Sequence, residues 1–173
     1  MKARSAITVD RPLLDVFPAL AAALAAPPVL DVQPDSFTLE ARTTNALVAV
    51  AAERGGEKLT VRYVFASAGP GTTVECAYEV ASRSMLASLV AGADATKFLA
   101  AWMQQDLQRI SHALREMVKA EGEREQAAPP AAAPAGSTAE PRHVVRRLNI
   151  KWKVQVPRGV TLDASRVDPD AGA

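Results

Sequence analysis

The sequence predicts an α+β protein: an antiparallel, curved sheet packed on a long C-terminal helix, followed by a linker and a C-terminal β-strand peptide. Three observations carry this. Between Ala93 and Gln126, Leu99, Met103, Leu107, Ile110, Leu114 and Met117 recur at helical spacing, so at about 100° per residue they form one core-facing stripe with Trp102 at its edge. From Val29 to Ser82 the apolar period falls to two, the spacing of strands with one greasy face. Beyond an Ala/Pro tract the period of two returns over residues 148–156 without a break.

Each element has its own reason. Ser5, Ile7 and Val9 alternate with Arg4, Ala6 and Thr8 in a half-buried first strand. Asp10 offers a helix cap, and Pro18 divides the following Ala/Leu run into two short helical pieces meeting near Phe17. Phe37, Leu39 and Ala41 alternate with Thr38, Glu40 and Arg42, and a further strand runs from Asn45 to Ala52. The Gly55-Gly56 pair reads as a hairpin turn. Leu59, Val61, Tyr63 and Phe65 then point one way, and after the turn at Gly69-Pro70-Gly71 so do Val74, Cys76, Tyr78 and Val80. Tight turns make these strands antiparallel neighbours, which sets Arg62 beside or diagonal to Glu75 or Glu79. A meander with one apolar face needs a cover, and the long helix supplies it. The chain therefore divides into a domain at 1–122, a linker at 123–141, and a basic tail at 142–173.

Ile7-Thr8-Val9-Asp10-Arg11-Pro12 running into Val16-Phe17, the strand start Gly71-Thr72-Thr73-Val74-Glu75, and an amphipathic helix ending near Lys119 resemble the SRPBCC superfamily, also called Bet v 1-like or START-like. The resemblance spans about residues 3–120 and none of the tail. It implies the helix-grip fold, a curved sheet gripping the last helix, often around an apolar cavity. Members of that superfamily include lipid and hormone carriers, polyketide cyclases and adaptors.

Composition narrows the classes. Residues 141–173 hold seven Lys/Arg against three Asp/Glu, whereas the rest of the chain is mildly acidic. The single Cys76 excludes an intramolecular disulfide and a multi-cysteine metal site, and it fits a reducing, cytoplasmic setting. The run from Leu13 to Leu30 contains Ala23-Leu24-Ala25, which has the look of a cleavage site. Asp15, Pro18, Pro27 and Pro28 break it, however, and it is too short to cross about 30 Å of hydrocarbon, so no transmembrane segment is expected. His112 and His143 lie far apart without other ligands at metal spacing, and no phosphate loop or nucleophile motif occurs; neither metal, cofactor nor catalytic residue is expected.

Two groups of residues carry the functional expectations. Asp106 breaks the apolar stripe, and with Trp102, Met103, Tyr63 and Tyr78 it forms a candidate cavity lining for a small hydrophobic ligand such as a lipid or polyketide. The competing reading of Asp106 is a structural pair with Arg109, three residues along, or with an arginine of the sheet. In the tail, Leu148, Ile150, Trp152, Val154 and Val156 form an apolar strand face, flanked by Arg146, Arg147, Lys151 and Lys153. A lone amphipathic strand is unstable by itself, so it docks on a partner protein, on a second copy, or on the edge of its own sheet. The acidic body and the single aromatic among these basic residues argue against nucleic acid. The leading expectation is a non-enzymatic adaptor with a docking tail; the alternative is a ligand carrier or cyclase-like enzyme.

Overall fold

In a computed structural model of the chain, residues 1–31, 33–82, 92–127 and 148–163 are described. The element order is β1 (Lys2–Val9), α1 (Leu13–Ala25), β2 (Ser36–Thr43), β3 (Leu47–Arg54), β4 (Glu57–Ala68), β5 (Gly71–Ser82), α2 (Gly92–Ala127) and β6 (Ile150–Gln155). The strands make one six-stranded antiparallel sheet in the order β2-β3-β4-β5-β1-β6. Its inner face carries α1 and α2, the helix-grip arrangement.

Local chemistry explains the meander. Gly55 and Gly56 both have positive φ at the β3–β4 turn, as does Gly69 before β5. Gly71 is required for a different reason: a Cβ there would collide with the backbone carbonyl of Val9. Thr72, fully buried, donates its hydroxyl to the carbonyl of Arg11 at 2.8 Å, tying the end of β1 to the start of β5. Arg62 faces Ala77, which places Glu75 and Glu79 on its diagonals.

Three details differ from the sequence reading. Helix α1 is continuous through Pro18. Val16, Phe17, Leu20, Ala21 and Leu24 form one buried stripe across both halves, while Pro18 and Leu14, whose carbonyl loses its partner, face solvent, where a missing backbone bond costs least. Asp10 does not cap α1. Pro12 holds the N-cap position without a side-chain bond, and Asp10 instead accepts from the backbone N–H of Asn149 at 3.2 Å. In β2 the pairing shifts between Leu39 and Ala41, and on this edge strand Phe37 packs on the core while Leu39 is exposed.

The tail strand adds to the sheet. β6 pairs antiparallel with β1 over Arg4↔Gln155 to Val9↔Ile150, placing Trp152 opposite Ile7. Leu148, Ile150 and Trp152 pack against the core, whereas Val154 and Val156 are exposed. After a turn at Gly159, Val160 is buried, and the backbone N–H and carbonyl of Asp163 bond the side-chain amide of Gln104 on α2 at 2.9 and 3.0 Å. The tail thus crosses from the sheet edge to the helix layer. Arg142, His143, Arg146, Arg147, most of the linker and the last ten residues lie outside the described residues.

Candidate functional site

The stripe of α2 is buried as its spacing predicts, with only Met117 partly open. Asp106 lies within it at 0 % exposure. A carboxylate there is costly unless its oxygens find donors. Tyr63 of β4 donates its hydroxyl to Oδ2 at 2.6 Å, and Nη2 of Arg109 donates to Oδ1. Arg109 reaches further: its Nη1 bonds the carbonyls of Ala23 at 3.2 Å and Ala26 at 2.6 Å. These carbonyls belong to the end of α1, whose last turn has no basic residue of its own. The Asp106–Arg109 pair therefore caps α1 from α2 and complements the negative end of its dipole. This is the structural pairing weighed from the sequence.

Around it the pleat assembles a polar row. Ser5, Cys76 and Tyr63 are direct neighbours across β1, β5 and β4, all facing inward, with Tyr78 one pleat further along β5. Trp102, one turn before Asp106 on α2, lies toward the β2 side of the sheet, stacking on Phe37 at 6.3 Å between centroids and edge-on against Phe98 at 5.9 Å. Met103 is fully buried beside it on α2. The structure thus brings Asp106, Tyr63 and Tyr78 together, while Trp102 and Met103 are buried on the same helix, Trp102 against Phe37 and Phe98. Ser5 belongs with them and was missed. Its signal was the same as that of Asp106, a polar side chain on an otherwise apolar face.

Satisfaction within the row is uneven. Tyr63 and Asp106 are paired, but the Tyr78 hydroxyl, Ser5 Oγ and Trp102 Nε1 are buried without a partner among the described residues. Ser5 and Tyr78 lie within weak hydrogen-bonding reach of each other and of Cys76, and Tyr78 of Asp106, enough to act on their titration but short of a full hydrogen bond. Burial raises the tyrosine hydroxyls of Tyr63 and Tyr78 well above their ordinary value. Burial also pushes the Cys76 thiol up to about 12, which removes it as a nucleophile near neutral pH. Asp106 is raised by burial too, against the pull of Arg109 and Tyr63 toward its ionised form.

A groove of about 440 Å³ lies on the outer face of the sheet across β4, β5, β1 and β6, with Ser5 and Cys76 also among the residues that line it. Among the described residues no group of three or more His, Cys, Asp or Glu converges as a metal site would, and no helix is long and apolar enough to cross a membrane.

No protein-family profile matches the chain, and no curated protein matches it significantly. Among solved structures it is similar to CalU16 from Micromonospora echinospora, at 17% identity over 72% of this chain and 86% of that one, with a TM-score of 0.42. It is also similar to TTHA0849 from Thermus thermophilus, at 16% identity over 70% of this chain and 99% of that one, with a TM-score of 0.36. These superpositions are too loose to transfer any property. The fold is read from the chain's own strand order and from the helix laid across the sheet.

Proposed function

We propose that this protein is a non-enzymatic binding protein of the SRPBCC type, whose inner polar row receives a small amphipathic ligand bearing hydrogen-bond acceptors. The observation behind this is a pair of neighbouring buried hydroxyls, on Tyr78 and Ser5, with no full hydrogen bond among the described residues. Each such group costs about 1–3 kcal/mol when left unmade, a large share of a domain's total stability of about 5–15 kcal/mol. A ligand oxygen placed among them recovers that cost. Ser5 lies directly opposite Val154, which is 38 % exposed on the edge strand, so the row ends one strand from solvent. Asp106 is committed to Arg109 and Tyr63, which favours binding over proton transfer.

Replacing Tyr78 with Phe tests the reading, because it removes an orphaned hydroxyl. The ligand-free protein is expected to gain about 1 kcal/mol in thermal or urea denaturation. The small molecule detected by native mass spectrometry of protein purified from its own host is expected to be lost. A wild-type protein that carries nothing, with a variant that only gains stability, would remove the proposal.

A second reading, the adaptor, is favoured by the edge of β6, which no other strand covers among the described residues and where Val154 and Val156 are 38 % and 40 % exposed. An open edge accepts an added strand from a partner protein or a second copy. A charge at Val154 blocks such pairing. If Val154→Lys leaves both the set of co-purifying proteins and the oligomeric state unchanged, the adaptor reading fails.

A further inference from the structure

The groove on the outer face is a site that the tail strand completes. Its wall on one side is Lys153 and Gln155 of β6; on the other it is Val64 of β4 and Glu75 of β5, with Arg4 of β1 between them. The register explains the depression. Ala6 sits directly between Glu75 and Lys153, and Ala77 directly between Arg62 and Arg4, so two methyl groups occupy positions where the neighbouring strands carry long side chains. Glu75 and Lys153 are two strands apart, about 10 Å, so a slot lies between them rather than an ion pair. Among the described residues Arg4, Glu75 and Lys153 have no ion-pair partner, while the nearby Glu79 is taken by Lys2 at 3.2 Å. A second depression of about 280 Å³ adjoins it at Arg4 and Gln155.

We propose that this groove binds a small organic carboxylate whose far end carries a cationic or hydrogen-bond-donating group. The geometry assigns each part. Arg4 and Lys153 are diagonal neighbours across β1 and β6 and converge on the carboxylate, with the fork of Arg4 matching its two oxygens and the amide of Gln155 adding a donor. Ala6 and Ala77 offer an apolar floor, and Val64 an apolar stretch of wall, for the body of the ligand. Glu75 receives the donor end, and its charge on the groove wall repels polyanions, which disfavours a nucleic-acid backbone as the occupant. The volume falls in the range of small-molecule sites, about 300–1,000 Å³.

Titration of the full-length protein by calorimetry with para-(aminomethyl)benzoate, benzoate and benzylamine tests this. The zwitterion is expected to bind saturably, benzoate more weakly, and benzylamine least. Arg4→Gln and Lys153→Gln are each expected to weaken the zwitterion about tenfold, the worth of one charge-assisted contact. Glu75→Gln is expected to abolish the preference for the zwitterion over benzoate. Tyr78→Phe, on the other face of the sheet, is expected to change nothing. Absence of saturable binding up to about 10 mM, an affinity unmoved by either cation variant, or loss of binding in Tyr78→Phe would each overturn the proposal. The last outcome places the probe under α2 instead, so this inference and the proposed function fail separately.

Discussion

The two faces of the sheet solve opposite problems with the same strands. One pleat separates Ser5 from Ala6 and Cys76 from Glu75, yet the first of each pair points into a dry core and the second toward water. On the inner face every polar atom needs a specific partner, and those that have one are organised around Asp106 and Arg109. On the outer face charge is inexpensive, and only its arrangement around two alanines gives it meaning. The environment on each side of the pleat, not residue type, decides whether a polar group there supports the fold or is free for a ligand.

The contrast between the faces breaks most readily on the inner one. Asp106→Ala leaves the partly buried Arg109 without its counter-ion and Tyr63 without its acceptor, and a loss of about 3 kcal/mol in urea denaturation is expected. Arg109→Ala should cost a similar amount, and the double variant clearly less than the sum of the two. A cost below about 1 kcal/mol for either single variant would show that the pair does not cap α1.

A smaller effect concerns pH. Burial holds the Asp106 carboxyl above its ordinary value, so the native state binds that proton more tightly than the unfolded chain does. The stability linked to this group is therefore fully present below the ordinary carboxylate range and is lost as pH rises through the raised value. Asp106→Asn cannot titrate and is expected to flatten that decline when melting temperature is followed from acid to neutral pH. A slope identical to wild type would assign the pH dependence to other groups.

The smallest effect belongs outside. Lys151→Ala, at an exposed position of β6, should change stability by no more than about 0.5 kcal/mol. A larger loss would mean that the outer face also takes part in holding the sheet together.

Much of the fold was legible because it is periodic. The stripe from Leu99 to Met117 and the alternations in β4, β5 and β6 each state their own geometry. Pro18 misled because a proline's cost depends on which side of the helix it faces, and that is fixed by packing on the sheet. Asp10 misled because its partner, Asn149, is distant in the chain. The site was half legible: Asp106 declared itself by breaking a stripe, and Arg109 stood at a natural spacing from it. The carbonyls of α1 that Arg109 also holds, and the outer groove made from β5, β1 and β6, depend on cross-strand register, which local spacing does not encode.

The position of β1 has a consequence for how the chain is made. β1 leaves the ribosome ahead of both strands that flank it, and its partners, β5 and β6, come from residues 71–82 and 150–155. At about 5–20 residues per second, synthesis leaves β1 unpaired for several seconds and one of its edges open for longer still. The nascent chain thus carries an unzipped strand while the helices and the meander are made, and closure of its sheet waits on residues that follow the linker.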